Sequence, residues 1–275
     1  MRLGCSDRCW SLVQQPVVLR GLQPFVRQPG HRRLRAESAG FHEARLAAAP
    51  RRSPKSLGLD VAVRPAKGPE ELQAAAVLRA LSFYAYPPER AYAGQIHQQM
   101  QADSEFNALI EMTSEELRRQ NHAKITGQLQ LIHSFCLIAV CQQLLGAELD
   151  NRLRIGSEAV VGTLDLYSAH APPGQVLIGN SRQAAYLGNV CSCEAVRRQG
   201  VGSALLRTAT AYARTWGADN LYVHIKAVNT SAEEFYRRFG FVKEKEESAN
   251  DAHYRGHCLD GVEGKGRTAL LRLQL

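Results

Sequence analysis

Residues 186–240 constrain the fold more than any other part of this chain, because glycines separate apolar runs of strand and helix length. An extended apolar run covers residues 186–193, and Gly200 and Gly202 follow it. From position 201 onward, mostly apolar residues recur at the spacing of one helix face: Val201, Ala204, Leu205, Thr208, Ala209, Tyr212 and Trp216. This helix ends at Gly217. The chain therefore passes from a strand through a glycine turn directly into a helix.

The turn before this helix has the features of an anion site. Glycine lets the backbone approach a ligand closely, and the N–H groups of a first helical turn lack partners within the helix. A diphosphate would accept hydrogen bonds from those groups at the positive end of the helix dipole, and Arg198 would add a charge-assisted contact. The alternative is an ordinary strand–helix corner, in which such glycines are also common.

A second strand and helix follow, over residues 221–228 and 232–239. Two overlapping pairs at the helix start have the spacing of a capping box: Ser231 with Glu234, and Thr230 with Glu233. A dinucleotide-binding site is disfavoured, because it needs a third small residue where Leu205 stands and an acidic residue where Asn229 ends the strand.

Apolar periodicity elsewhere predicts three strands and one helix: strands over residues 61–63, 135–141 and 159–166, and a helix over residues 70–83. A polar helical stretch over residues 89–120 is predicted to break near Asp103 and Ser104, and a loop over residues 171–184 precedes the next strand. These elements indicate one domain over residues 60–275, without internal repeats.

Two motifs in residues 186–241 resemble the coenzyme A site of the GNAT superfamily of N-acetyltransferases. They are Arg197-x-x-Gly200-x-Gly202 and Asn229-x-x-Ala232-x-x-Phe235-Tyr236-x-x-x-Gly240-Phe241. The resemblance implies an α/β (α+β) fold, with a central mixed β-sheet that is flanked by helices and splayed between its fourth and fifth strands. It also implies acetyl-CoA as co-substrate, with the pantetheine arm in the splay.

The resemblance further implies which residues contact acetyl-CoA. The strand residues whose backbone pairs with the pantetheine arm are Val190, Cys191 and Ser192. The loop residues that hold the diphosphate are Arg198, Gln199, Gly200, Val201, Gly202 and Ser203. The residues on the far side of the coenzyme are Asn229, Thr230, Ser231 and Tyr236.

Three residues are candidates for acid–base chemistry. Tyr236 matches the residue that protonates the departing thiolate in many superfamily members, and a phenol with a reference pKa of about 10 is protonated at working pH. Tyr186 and His224 resemble, in type and spacing, the pair with which protein N-terminal acetyltransferases deprotonate the α-amine through water. Histidine suits this step because its reference pKa is about 6.5. The alternatives are a structural histidine at position 224 and a core aromatic at position 236.

Amine chemistry favours an α-amine acceptor. An α-amino group with a pKa of about 7.7–8.0 is about half neutral at pH 8, whereas a lysine near 10.4 is neutral about once in 250. Two stretches, Val160-Val161-Gly162-Thr163-Leu164-Asp165-Leu166 and Tyr186-Leu187-x-Asn189-Val190-Cys191, resemble the plastid acetyltransferases of plants and algae. This resemblance implies acetylation of protein N-termini and of lysine side chains. The predicted partners are therefore proteins or peptides with free amines.

Two other classes of function remain open. A small-molecule acetyltransferase acting on serotonin-like arylalkylamines would share the coenzyme residues and differ in the stretches 89–120 and 171–184. A non-catalytic coenzyme-binding protein would keep Gly200 and Gly202 without the proton donor, and the presence of Tyr236 disfavours it. The sequence indicates no particular oligomeric state.

Residues 1–59 carry the whole net charge of +8, with eleven basic and three acidic residues, whereas the remainder has 23 of each. An arginine-rich, acid-poor segment of this kind is typical of an organelle transit peptide. We therefore predict a disordered, removable leader that directs the protein to the chloroplast, with the mitochondrion as second choice. The alternative is a disordered basic tail. Because the remaining domain is neutral, the overall charge does not indicate nucleic-acid binding.

The sequence predicts neither membrane insertion nor a metal centre. The longest strongly apolar run, residues 135–141, is too short to span a bilayer. Five of the seven cysteines lie beyond the leader, and an odd number does not form a disulfide framework. A metal-like cluster of His253, His257 and Cys258 lacks a second Cys or His pair.

Overall fold

A computed structural model of the chain describes residues 59–84, 91–127, 132–142, 149–168, 184–248, 250 and 266–275. Three predicted segments lie outside these ranges: residues 1–58 of the leader, residues 171–183 of the loop predicted over residues 171–184, and the cluster at positions 253, 257 and 258. Ala184, the last residue of the predicted loop, instead begins a strand. None of the described helices combines the length and the apolar character that a bilayer span requires. Within the same ranges, no group of three or more His, Cys, Asp or Glu side chains is arranged to bind a metal ion.

The described residues form one mixed β-sheet of eight strands. The strands are β1 (Ala62–Pro65), β2 (Ser134–Cys141), β3 (Arg154–Ile155), β4 (Glu158–Ser168), β5 (Ala184–Ser192), β6 (Asn220–Lys226), β7 (Val242–Glu247) and β8 (Thr268–Gln274). Their order across the sheet is β1-β2-β4-β5-β6-β8-β7, and β3 pairs with β4. Neighbouring strands are antiparallel except β5 and β6, which are parallel. The predicted mixed sheet is confirmed.

Four α-helices flank the sheet within the described ranges: α1 (Pro69–Phe83), α2 (Ala91–Thr126), α3 (Val201–Thr215) and α4 (Thr230–Arg238). α1 starts with a proline and has two acidic residues in its first turn, and both features favour a helix N-terminus. α3 ends as predicted, because Gly217 adopts a left-handed φ of 74° just beyond it.

The prediction that the second helix breaks near Asp103 and Ser104 is wrong, because α2 is continuous across this region. Asp103 stays helical because its side chain accepts a hydrogen bond of 2.8 Å from Gln99 Nε2 one turn earlier, and so does not compete for the backbone. Ala102 and Leu109 of the same stretch are buried in the core. Burial therefore outweighs the weak helix propensity of Asp and Ser.

The predicted capping boxes are also wrong. The cap of α4 is Asn229, whose Oδ1 accepts a hydrogen bond of 3.0 Å from Ala232 N. The chain turns immediately after β6, where Asn229 N donates to Lys226 O at 2.9 Å, so the helix begins earlier than predicted. Thr230 and Ser231 consequently lie inside the first turn of α4, where they cannot be its cap.

Helices cover both faces of the central strand β4. On one face, Arg79 Nη2 of α1 donates to Thr163 Oγ1 at 3.3 Å. On the other face, a Cβ atom at Gly162 would lie 2.7 Å from Val201 and 2.9 Å from Leu205 of α3. α3 therefore lies directly on the backbone of β4, and only glycine leaves room for it. Because neighbouring strand residues point to opposite faces, β4 lies between α1 and α3.

The sheet opens between β5 and β6. Their parallel register runs from Ala184 opposite Asn220 to Leu187 opposite Val223, although both strands continue further. Beyond this point β5 stays paired with β4, and β6 stays paired with β8, so the two strands follow different neighbours. They are the fourth and fifth strands of the chain when the two-residue β3 is left out. The predicted splay is therefore confirmed.

Candidate active site

The predicted diphosphate loop joins β5 to α3. A 3-10 turn over Glu194–Val196 leads into residues 197–200, where Arg198 and Gly200 adopt left-handed φ angles of 66° and 89°. The first hydrogen bond of α3 is donated to Gly200 O at 2.9 Å by the amide at position 204, so the N–H groups of residues 201–203 precede the helical ladder. The first turn of α3 contains no acidic residue. These N–H groups and the helix dipole therefore suit an anion.

The side chains of this loop point largely into solvent. Arg198 and Gln199 are exposed, and Ser203 is half-buried in the first turn of α3. Gln199 Nε2 donates to Ala195 O at 3.4 Å across the loop. Within the described residues, the exposed Arg198 forms no ion pair that would hold it away from a bound anion.

α4 covers the same turn from one side. A Cβ atom at Gly202 would lie 3.3 Å from Phe235 Cζ, a tight contact that would require the Phe235 ring to shift slightly. The Phe235 ring also packs on Tyr236 and Phe239, with ring centroids 5.1 and 5.4 Å apart. Gly202 therefore presents bare backbone because Phe235 fills the space beside it. Phe235 belongs to the motif that begins at Asn229, and it packs against the loop formed by the motif that begins at Arg197.

The end of β5 contains the three predicted strand residues: Val190, Cys191 and Ser192. All three lie beyond the parallel pairing with β6. Burial is the main reason that the pKa of the Cys191 thiol rises to about 12, so this thiol is neutral and unreactive at physiological pH. Asn229, Thr230 and Ser231 lie exposed at the start of α4, and the Asn229 oxygen is engaged in the cap.

Tyr236 of α4 is buried, with 4% of its surface exposed. Burial first, and then the neighbouring Tyr186 phenol and Cys191 thiol, raise the pKa of the Tyr236 phenol above its ordinary value. Tyr236 is therefore protonated at neutral pH, which a proton donor requires. α4 thus brings the candidate donor close to two residues of β5.

Tyr186 and His224 meet where β5 and β6 separate. Tyr186 lies opposite Tyr222 in the register, and His224 is the first residue of β6 beyond the parallel pairing. Tyr186 Oη lies 3.0 Å from His224 Nδ1, a hydrogen-bond distance. The His224 side chain is 7% exposed. The structure therefore brings together both predicted candidates for the base.

Glu247 of β7 extends this pair into a line of three side chains, and the sequence did not predict it. Its Oε2 lies 3.3 Å from His224 Nε2 and accepts a hydrogen bond of 2.8 Å from Thr268 Oγ1. Its side chain is fully buried, and Lys245 Nζ lies 3.9 Å from its Oε1. Because β7 reads Val-Lys-Glu-Lys-Glu-Glu, without apolar alternation, no local signal marks it as a strand or singles out Glu247.

Comparisons with known proteins identify the family. Residues 109–241 match the sequence profile of the acetyltransferase (GNAT) family. The chain is 35% identical over 196 residues to "GCN5-related N-acetyltransferase 7, chloroplastic" of Arabidopsis thaliana, covering 67% of this chain and 68% of that protein. It is 29% identical over 186 residues to "GCN5-related N-acetyltransferase 6, chloroplastic" of the same plant, covering 62% of this chain and 58% of that protein.

Among solved structures, a GNAT-family acetyltransferase from Streptococcus pneumoniae is similar with a TM-score of 0.45 at 14% identity, over 78% of this chain and 99% of that chain. The sequence identity and coverage of the Arabidopsis relative, together with the profile match, carry the assignment. The chain belongs to the GNAT family of acetyltransferases.

Proposed function

We propose that this protein transfers an acetyl group from acetyl-CoA to the amines of proteins and peptides. The observation that carries the proposal is the 3.0 Å contact between Tyr186 Oη and His224 Nδ1 at the splay, close to the protonated Tyr236. Acyl transfer from a thioester to an amine needs one group that accepts a proton and another that donates one. Membership of the GNAT family supports acetyl-CoA as the acyl donor.

Acetyl-CoA is proposed to bind along the end of β5 and the start of α3. The diphosphate accepts hydrogen bonds from the N–H groups of residues 201–203, and the exposed Arg198 adds a charge-assisted contact. The amide groups of the pantetheine arm pair with the β5 backbone over residues 190–192, where β6 no longer pairs with it. The thioester then lies in the splay, within reach of the acid–base residues.

In the proposed reaction the acceptor amine loses a proton to the Tyr186–His224 pair and attacks the thioester carbonyl carbon. The C–N bond forms, and the C–S bond breaks with its electron pair leaving on sulfur. The new amide nitrogen loses its remaining extra proton to solvent, and the Tyr186–His224 pair also passes its proton to solvent. Tyr236 donates its proton to that sulfur and regains one from solvent. The Glu247 carboxyl group beside Nε2 favours the imidazolium form of His224 while the proton is held there.

Protein α-amines are the proposed main acceptors, and lysine side chains are proposed as slower ones. An α-amine is about half neutral near pH 8, so it needs less help from a base than a lysine does. Similarity to two proteins named as chloroplastic GCN5-related N-acetyltransferases supports a role of this kind in plastids.

The acceptor class is tested with three substrates at equal concentration. The first is a peptide with a free N-terminus and no lysine, the second is the same peptide with an acetylated N-terminus and one lysine, and the third is serotonin. We expect kcat/KM to fall in that order. Faster acetylation of serotonin than of both peptides would make the protein a small-molecule acetyltransferase. Binding of acetyl-CoA without transfer to any of the three would make it a non-catalytic coenzyme-binding protein.

The site of action is proposed to be the chloroplast. The support is the charge of residues 1–59, which hold the entire excess of +8, together with the chloroplastic names of the two Arabidopsis relatives. A fluorescent protein fused behind residues 1–59 should enter chloroplasts in plant cells. Accumulation in mitochondria would indicate that residues 1–59 direct the protein to that organelle instead. A cytosolic signal would contradict targeting by this segment.

A further inference from the structure

The strand that borders the splay contains a bulge. In the pairing of β4 with β5, Thr163 lies opposite Cys191 and Asp165 lies opposite Gly188. One residue of β4 therefore faces two residues of β5, Asn189 and Val190. An extra residue of this kind bends its strand and increases the local twist. The bulge lies just beyond Leu187, where the parallel pairing with β6 ends.

Asn189 sits in this bulge with a left-handed φ of 51°. Residues other than glycine rarely adopt this conformation, and asparagine tolerates it better than most because its short side chain can form local hydrogen bonds. Here Asn189 Nδ2 donates a hydrogen bond of 2.8 Å to Asp165 Oδ2 on the neighbouring strand. The backbone conformation of the bulge is therefore fixed by a side-chain contact to β4.

The acceptor of that hydrogen bond is itself held by a buried charge. Asp165 Oδ1 accepts a hydrogen bond of 2.6 Å from Arg79 Nη2, and the two side chains are 2% and 1% exposed. Tyr167 Oη also donates to Asp165 Oδ2, at 3.4 Å. A charge-assisted bond at this depth is strong and geometrically specific, and leaving either partner alone would be costly.

Arg79 connects this arrangement to the helices. Its Nη1 contacts Glu105 Oε2 of α2 at 3.2 Å, and its Nη2 also reaches Cys136 Sγ at 3.4 Å. Burial by itself would lower the pKa of the Arg79 guanidinium. The nearby Asp165, Cys136 and Glu105 raise this pKa by more than burial lowers it, so the group stays charged. The bulge is therefore tied through one guanidinium to both α1 and α2.

We propose that Asp165 and Arg79 are positioning residues for acetyl-CoA, which hold the bulge at Asn189 and so direct residues 190–192 away from β6. The splay would then depend on a polar contact between β4 and β5, and not only on the end of the parallel pairing. This inference rests on the proposed function, because residues 190–192 matter to catalysis only if they bind the pantetheine arm.

The test uses variants at Asn189, whose side chain is exposed, so that substitutions leave the core intact. Asn189→Val places a β-branched residue at a positive φ, whereas Asn189→Gly allows the same backbone at no steric cost but lacks the hydrogen bond. Asp165→Asn weakens the acceptor without changing its shape. The matched control is Asp150→Asn, because Asp150 forms a surface pair with Arg152 at 2.7 Å outside the bulge.

Calorimetry measures Kd for acetyl-CoA at a temperature at which circular dichroism shows every variant folded. We expect Asn189→Val and Asp165→Asn to raise Kd and the KM for acetyl-CoA about tenfold, since small displacements of binding groups have large effects. We expect Asn189→Gly to raise Kd about threefold, less than Asn189→Val does, because glycine allows the bend without strain but lacks the hydrogen bond to Asp165 that holds it. The KM for the peptide should change little in all three variants.

An unchanged Kd in folded Asn189→Val and Asp165→Asn, with only a lower melting temperature, would show that the arrangement is purely structural and would overturn the inference. Equal losses in Asp150→Asn would overturn it as well, because the effect would then not be specific to the bulge. A parent protein that does not bind acetyl-CoA would instead refute the proposed function, and the inference with it.

Discussion

His224 Nε2 and Glu247 Oε2 lie 3.3 Å apart, although their strands β6 and β7 are separated in the sheet by β8. His224 lies opposite Leu270 and Glu247 lies opposite Thr268, two positions apart on β8, so both side chains project from the same face. The distance is long for a hydrogen bond and suits an ion pair that strengthens when the imidazole is protonated. The Glu247 carboxylate is therefore placed to stabilise the protonated imidazole of His224.

Replacing Glu247 with glutamine should make His224 a weaker base. The substitution keeps the shape and removes the negative charge that favours imidazolium, so we expect kcat/KM for the peptide to fall about tenfold. The acidic limb of its pH profile should also shift to lower pH, because the histidine would then lose its proton more readily. Glu246→Gln is the control, since Glu246 is exposed and pairs with Lys243 and Arg267. Profiles measured from pH 6 to 9 that coincide for Glu247→Gln and parent would contradict this role.

His224→Ala should impair lysine acceptors more than α-amine acceptors. At pH 8 about half of the α-amine is already neutral, whereas nearly all of the lysine amine must lose a proton first. Raising the pH from 7 to 9 should therefore partly restore the rate of the variant. Steady-state kinetics with the two matched peptides provide the measurement. Parental rates on both peptides across this range would leave His224 structural and Tyr186, with water, as the base.

Tyr236→Phe should slow turnover without affecting coenzyme binding. Removal of a general acid costs about 10²-fold at the lower end of the usual range, and the phenylalanine ring preserves the packing of Tyr236 against Phe235 and Phe241. The loss should persist at every pH from 7 to 9, because burial keeps the pKa of this phenol above its ordinary value. Phe239→Leu, which alters a ring that packs on Phe235 just beyond α4, controls for packing. A variant with parental kcat would exclude Tyr236 as the donor.

Gly202→Asp should weaken acetyl-CoA binding more than Gly202→Asn does. Both side chains add the same number of heavy atoms and press equally on Phe235, where a Cβ atom would lie at 3.3 Å. Only aspartate also brings a negative charge to the first turn of α3, against the diphosphate. We expect at least about a tenfold difference in Kd between the two variants by calorimetry, because partly screened charges at contact distance repel by well over 1 kcal/mol. Equal affinities of the two variants would show that the diphosphate does not bind at this loop.

The free energy of unfolding should respond to pH in opposite ways at Glu105 and Glu71. Burial raises the pKa of Glu105, so its contribution to stability is present below its unfolded pKa of about 4.3 and is lost as the pH rises through the folded value. The hydrogen bond from Arg64 lowers the pKa of Glu71, so its contribution is present above the unfolded pKa and is lost as the pH falls. Between pH 4 and 7, urea unfolding should show Glu105→Gln gaining and Glu71→Gln losing stability relative to the parent. Parallel changes in the two variants would contradict these assignments.

The sequence was most informative where local chemistry decides the structure. The glycine turn, α3 and the strand that contains His224 follow from spacing that is visible within residues 186–240, and the structure brings Tyr186 and His224 together. The cap of α4 was missed because it depends on where the preceding turn ends. The capping-box spacing pointed to Thr230 or Ser231, and the sequence does not show that the chain already leaves the strand at Asn229.

Residues that act through distant partners could not be predicted. Arg79 occupies a position of α1 that its charge would assign to the surface, yet the contacts to Asp165 and Glu105 make it one of the most buried side chains. Glu247 likewise lies in a charged and otherwise exposed strand, and its own burial depends on the pairing of β7 with β8. In both cases the environment is created by tertiary contacts, which no local pattern records.

The close approach at Gly162 has a consequence for the whole coenzyme site. The strand that seats the start of α3 through Gly162 also carries Asp165, whose side chain holds the bulge of β5. The two proposed anchorage points of coenzyme A, the start of α3 and residues 190–192, are thus both positioned by β4, and the spacing between them is set when the domain folds. A bulkier residue at 162 would lift α3 and change that spacing, so its effect should grow with the length of the ligand: coenzyme A should suffer more than a truncated analogue that occupies only one end.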